Sequence, residues 1–207
     1  MPDLQKKQLN SKKSYFFFEN YKNNFSEAIL NLNIKKIAEI TNLIEKIIIN
    51  KRKIFVAGNG GSAAVANHFL CDFNKGVKIS SRKRLLPRVI SLSNSIELIT
   101  AISNDLNFEE IFSSQLENYA EKEDCLVAIS CSGTSKNIIN LIKLCKKKKM
   151  KIIYLTGFLN KKPIIKVDHH LNINIKNYGI SEDIFSSIMH MISQYLRSKY
   201  STKKETL

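Results

Sequence analysis

Two kinds of pattern alternate along this chain. Short, continuous apolar runs occur at Lys53–Ala57 (KIFVA), Arg88–Leu92, Leu126–Ser130 (LVAIS), Lys151–Thr156 (KIIYLT) and Leu171–Ile175. Between them lie longer stretches with helical spacing, near Ala63–Phe73, Ser95–Ser103, Phe108–Ala120, Lys136–Lys147 and Ser181–Arg197. A run that is apolar throughout suits a strand buried on both faces, and strands alternating with helices suit a parallel sheet with helices on both sides. The pattern therefore predicts an α/β fold. Ahead of it, Tyr15 to about Asn50 predicts two helices. Apolar residues recur there three and four apart, at Phe18, Tyr21 and Phe25, then Ile37, Ile40, Leu43, Ile44 and Ile47. This pair carries no chemistry and reads as a packing or assembly element. Residues 1–14 are polar and expected to fray, and 201–207 read as a polar tail.

Composition narrows the reading. At 207 residues the chain suits one domain, spanning 15–200, with a helical appendage. A hydrophobic fraction of 43% is enough to build a core, and only Gly 7 and Pro 3 exclude a collagen-like or linker-rich chain. No apolar stretch approaches the roughly 20 residues of a membrane helix, and the polar start shows no signal peptide, so a cytoplasmic location without membrane partners is expected. Cys71, Cys125, Cys131 and Cys145 have no CxxC spacing, which fits reduced thiols.

The formal charge of +15 first suggests nucleic acid. The cations are scattered, however. The densest runs are Lys146–Lys149, at a predicted helix C-terminus where cations complement the dipole, and Arg82–Arg84 in a predicted loop. With no zinc-finger spacing and no aromatic RNA-binding motif, the lysine excess reads as compositional background.

Two strand-to-helix loops hold the candidate chemistry. In open parallel sheets, ligands bind beyond the carboxyl ends of the strands. The first loop is Gly58-Asn59-Gly60-Gly61-Ser62, which lacks both GxGxxG and a GK[ST] ending. The second is Ser130-Cys131-Ser132-Gly133-Thr134-Ser135, with four hydroxyls around one glycine. Hydroxyls, backbone N–H groups and a helix dipole together suit a phosphate monoester without requiring lysine. The bland alternatives are a common glycine turn and a Ser135 that merely caps its helix.

GNGGS, the following helix with His68, Asn104-Asp105, SxSGxS and a late helix with Glu182 and His190 together resemble the sugar isomerase (SIS) domain over residues 15–197. The pattern is most similar to the branch that interconverts sedoheptulose 7-phosphate and D-glycero-D-manno-heptose 7-phosphate for heptose precursor synthesis. The resemblance implies a three-layer sandwich around a five-stranded parallel sheet, and a homotetramer with sites at subunit interfaces. It implies substrate contacts at Asn59, Gly60, Gly61, Ser62, Asp72, Asn104, Asp105, Ser130, Cys131, Ser132, Ser135 and Glu182. Cys131 stands where the family often has threonine, so any contact there would run through its backbone.

His68 and Asp72 are spaced i, i+4 and share a helix face. Glu182 and His190 lie about two turns apart, roughly on one side of their helix. Two imidazoles and two carboxylates suit tetrahedral zinc, and the same groups suit acid–base chemistry. The resemblance implies one Zn2+ per subunit at His68, Asp72, Glu182 and His190, with Asp72 or Glu182 as base and His190 moving protons. The family typically carries His, Glu, Gln and His at these positions, so the Asp72 and Glu182 substitutions leave the identity of the base open. His169 and His170 have no partner pattern and read as surface residues. The rival readings are an isomerase of another sugar phosphate, and a non-catalytic phosphosugar sensor or DNA-replication adaptor.

Overall fold

A computed structural model describes residues 2–159, 163 and 165–201, with side chains from residue 12 onward. The tail expected at 201–207 lies outside the described residues except for Ser201. The chain forms two compact units, Met1–Leu32 and Asn33–Leu207. The first is a single helix, α1 (Pro2–Leu30). It starts well before the Tyr15 boundary set by apolar spacing. Residues 3–14 follow a proline at the first helical position and are rich in Lys, Gln and Leu, residue types that favour helix whether or not apolar spacing is present. Side by side on α1, Tyr15, Phe16, Phe17 and Phe18 are exposed.

The second unit opens with α2 (Ile34–Ile49), capped by the Asn33 side chain accepting from the Lys36 N–H. Its stripe of Ile37, Ile40, Ile44, Ile47 and Ile48 is buried. The strands that follow are β1 (Ile54–Ala57), β2 (Val89–Ser91), β3 (Cys125–Ser130), β4 (Lys151–Thr156) and β5 (His169–Asn172). They form one sheet, ordered β2-β1-β3-β4-β5, and every pairing is parallel. Strands β1 and β3 are buried at every position. This accounts for their unbroken apolar sequences. The last strand starts earlier than its apolar run suggested, and His169 and His170 are half-buried strand residues rather than surface ones. The neighbouring β4 recruits them: Ile153 and Tyr154 pair with His169 and His170, and His170 Nε2 lies 2.8 Å from the Thr156 hydroxyl.

The helices are α3 (Gly61–Cys71), α4 (Lys78–Ser80), α5 (Ile96–Asp105), α6 (Ser113–Glu117), α7 (Lys136–Lys147) and α8 (Tyr178–Tyr200). Alternation along the strands sends Phe55, Ala57, Leu126, Ala128, Ile152 and Tyr154 into one core, with Ile138, Leu141 and Cys145 of α7 and Leu116 of α6. The opposite face of the sheet is covered by α3, which packs on β1, β2 and β3 and against α8. The result is the three-layer arrangement. Between α3 and α4 the backbone widens into a π-helical segment, Asp72–Val77, a local geometry that often accompanies function. Its Asn74 turns toward the sheet edge, donating to the Val89 carbonyl (2.9 Å) and accepting from the Val89 N–H (3.0 Å).

Candidate active site

In the order 2-1-3-4-5 the connection direction reverses between β1 and β3, so the loops leaving these two strands part and open a crevice. A cleft of about 340 Å³ occupies that place. The glycine loop contributes Asn59, Gly60, Gly61 and Ser62 to its wall, and the hydroxyl loop contributes Ser130, Cys131, Ser132 and Ser135. Glu182 and Tyr178 of α8 close a further side, and Ile129 is the remaining lining residue.

Each loop is held by its own polar scaffold. Gly60 takes a left-handed φ of 54° at the N-cap of α3. Ser93 braces the start of the loop: its hydroxyl donates to the Gly58 carbonyl (2.9 Å) and accepts from the Gly58 N–H (3.1 Å). Asn59 exchanges side-chain amide hydrogen bonds with Asn137, at 3.0 and 2.9 Å, which ties the glycine loop to the first turn of α7. In the second loop, Ser130 Oγ accepts from the Gly133 N–H (3.2 Å) and lies 3.3 Å from Ser135 Oγ. Ser132 Oγ accepts from the Thr134 N–H (3.2 Å). Ser135 holds the N-cap position of α7, yet its side chain makes no capping bond. Its hydroxyl is thus left facing the cleft, and capping does not explain the residue. The first N–H groups of α3 and α7 have no acceptors within their own helices, and both helices begin at this cleft.

The Glu182 carboxylate lies directly against Gly61. A Cβ on Gly61 would come within 2.0 Å of Glu182 Oε2, so glycine is what admits this approach. Cys131 is buried, with Sγ 3.8 Å from Glu182 Oε1 and 3.7 Å from the Ser62 hydroxyl. Burial first, then the neighbouring carboxylate, push the Cys131 thiol up to about 11. It is therefore a neutral wall group near neutral pH and not a nucleophile.

A second polar group forms where α3 and α8 pack together. Asp72, the first residue of the π-helical segment, sits between two imidazoles. Its Oδ1 is 3.6 Å from His68 Nε2 and its Oδ2 is 3.7 Å from His190 Nε2. The two rings meet edge to face with centroids 4.9 Å apart. Ser193, one turn after His190, donates to Asp72 Oδ2 at 3.3 Å. The side chains of His68 and His190 are 58% and 42% exposed, so the group is open to ligands.

Among the described residues, this trio is the group of His, Cys, Asp and Glu whose ligand atoms converge, all within 4.8 Å of one another. Ligand atoms of tetrahedral zinc lie about 3.4 Å apart at bond lengths near 2.0–2.1 Å. At up to 4.8 Å the atoms of the trio stand wider than that edge, and two imidazoles and a carboxylate are a donor set that suits zinc with one position left open. Glu182, expected as a fourth ligand, is not in the trio. Eight residues of helix separate it from His190 by about 12 Å along the axis, and its carboxylate turns to the glycine loop instead.

Asn104 and Asp105 also stand apart from the cleft. They lie at the exposed end of α5, where the Asn104 amide donates to Asp105 Oδ1 at 2.9 Å. Conversely, sequence reasoning missed Tyr178, Ser93 and Asn137. Asn137 carried a legible signal, as a polar residue on the buried face of an amphipathic helix. Ser93 and Tyr178 carried none.

These features coincide with clear relationships to known proteins. The SIS domain family model matches residues 17–157. The chain is 37% identical over 175 residues to a probable phosphoheptose isomerase of Thermoplasma acidophilum, covering 84% of this chain and 94% of that one. It is 36% identical to the phosphoheptose isomerase of Thermodesulfovibrio yellowstonii, over 81% and 82% of the two chains. Its fold is similar to that of the phosphoheptose isomerase from Neisseria gonorrhoeae, with a TM-score of 0.78 at 27% identity over 91% and 98% of the chains. For the phosphoheptose isomerase from Francisella tularensis the TM-score is 0.80 at 25% identity, over 90% and 97%. The chain belongs to the SIS domain family. The resemblance read from the two loops and the two histidine helices is borne out.

Proposed function

We propose that the protein is an aldose–ketose isomerase that interconverts sedoheptulose 7-phosphate and D-glycero-D-manno-heptose 7-phosphate, supplying a heptose precursor. The observation that carries this reading is the Asp72 carboxylate placed between His68 and His190, in a chain that also carries an anion-binding cleft at the sheet's switch point. A phosphate monoester fits the hydroxyls of Ser130, Ser132 and Ser135 at the start of α7, while Asn59, Gly60, Gly61 and Ser62 face the sugar.

The reaction needs a base for the C–H alpha to the carbonyl and a group that moves protons between the two oxygens. Asp72 suits the base, with Ser193 and the two imidazoles fixing its orientation. Its carboxylate takes a proton from C1 of the ketose, and the C–H electron pair becomes the C1=C2 bond of an enediol. His190 gives a proton to O2 and takes one from O1. Return of the carbon-bound proton to C2 completes the aldose. Glu182, beside the cleft, is the alternative base and a substrate contact. In the alternative arrangement His68, Asp72 and His190 would hold zinc, one ion per subunit, as ligands rather than proton carriers, leaving Glu182 beside the cleft as the base. Such an ion supplies Lewis-acid polarisation of the carbonyl.

The assembly is a homotetramer in this reading. Asn104 and Asp105, exposed at the end of α5, serve a neighbouring subunit's site, and the N-terminal helix takes part in association. No described helix is long and apolar enough to cross a membrane, and the cytoplasm is the proposed location. The test is direct. Purified protein is incubated with sedoheptulose 7-phosphate and the aldose is followed by NMR, with and without a chelator. Absence of conversion under every metal condition sinks this assignment and leaves an isomerase of another sugar phosphate, a sensor or an adaptor.

A further inference from the structure

Tyr178 is an exposed aromatic ring on the lip of a cleft whose wall is otherwise mostly hydroxyl, amide, backbone and carboxylate, with Ile129 and the Cys131 thiol. Its placement is fixed from several sides. It is the first residue of α8, whose N-terminus is capped by the Asn177 side chain accepting from the Ile180 N–H. One turn further on, Glu182 lines the same cleft, so both side chains share one helix face. The ring of Phe158 meets Tyr178 edge-on, with centroids 5.1 Å apart at 87°. Phe158 is itself anchored, since its N–H and that of Gly157 both donate to the Cys131 carbonyl at 2.9 Å. The backbone that shapes the hydroxyl loop therefore also sets the position of the Tyr178 ring.

Such a ring, 62% exposed, leaves apolar surface in water. Orienting it by a partner ring and a capped helix, rather than folding it inward, makes that surface available to a ligand. The cleft's polar groups can recognise phosphate and hydroxyls, and Ile129 and the Cys131 thiol are its other less polar lining groups. A sugar chain presents C–H groups between its hydroxyls, and an aromatic face is the usual protein complement to such an amphipathic surface.

We propose that Tyr178 is a positioning residue for the carbon chain of the sugar phosphate, packing against its C–H groups while the hydroxyl loop holds the phosphate. This inference rests on the sugar-phosphate reading of the cleft, and its test separates the two. Binding of sedoheptulose 7-phosphate and of inorganic phosphate is measured by calorimetry, and turnover by NMR, for the wild-type protein, Tyr178→Ala and Tyr178→Phe. The expected result is that Tyr178→Ala weakens sugar-phosphate binding and raises KM about tenfold, the scale of one aromatic contact. Turnover at saturation should change less, inorganic phosphate should bind as before, and Tyr178→Phe should behave like wild type. Unchanged sugar-phosphate binding in Tyr178→Ala overturns the proposal. So does an equal loss of phosphate affinity, because it would mean a distorted loop. Wild-type protein that binds the sugar phosphate in a Tyr178-dependent way without converting it supports this inference and sinks only the isomerase.

Discussion

The cleft and the His68–Asp72–His190 group are built by opposite strategies. The cleft is set by loops at the ends of two paired strands, and its contacts come largely from backbone, glycine and short hydroxyl side chains. Sheet register positions it, and Asn59–Asn137 and Ser93–Gly58 lock it. The second group consists of three side chains from α3, the π-helical segment after it and α8, its two imidazoles half-exposed and its carboxylate held by Ser193 and by them. A loop site of this kind tolerates the loss of one hydroxyl, because other donors remain. A side-chain trio loses its function with any member. Binding and chemistry should thus come apart under mutation.

The largest effect is expected at His190. Replacing it with alanine should lower kcat by about 10²–10⁴-fold, the range for a general acid–base group. Circular dichroism should stay unchanged, since His190 is half-exposed. Full activity would mean that the trio is not the catalytic part. Next comes His68→Ala: if the trio holds zinc, this variant should lower the metal content measured by elemental analysis while leaving inorganic phosphate binding intact. Joint loss of both would tell against two independent parts. Ser135→Ala should raise KM about tenfold, as expected for one hydrogen bond to a charged ligand. It should leave Tm almost unchanged, because the side chain caps nothing. A clear drop in Tm would restore the capping explanation.

The smallest effect lies outside both regions. Burial, then Lys36, hold the imidazoles of His169 and His170 below their ordinary range. Asp168 and Glu39 act the other way at His169. Because the folded-state values are depressed, their contribution to stability is present above about pH 6.5 and lost as pH falls, when the unfolded chain takes up protons first. Between pH 7.5 and 5.5, His170→Asn should reduce the fall in Tm by less than about 4 °C. A larger fall in the variant than in wild type reverses the sign.

What was legible in the sequence follows the same division. Strands β1, β3 and β4 declared themselves because burial on both faces requires an uninterrupted apolar run. The glycine and hydroxyl loops declared themselves by composition at strand ends. Strand β5 was misplaced because His169 and His170 join it through pairing with β4, which no local property records. The helical stretch read over Phe108–Ala120 breaks into a 3-10 turn at Phe108–Glu110 and the shorter α6, and the π-helical segment after α3 leaves no periodic trace. Spacing placed Asp72 with His68 correctly, since i, i+4 is a local relation. It could not place Glu182, because eight residues on one helix side say nothing about which way a long side chain turns. Tyr178 was missed because a single aromatic at a helix start forms no pattern.

Asn74 has a consequence beyond the site. Edge strands expose unpaired N–H and C=O groups that invite another strand. At β2, the Asn74 amide takes both outward groups of Val89, standing in for the strand that would otherwise add there. At Val89, one side chain thus satisfies the backbone groups that a strand from another molecule would need.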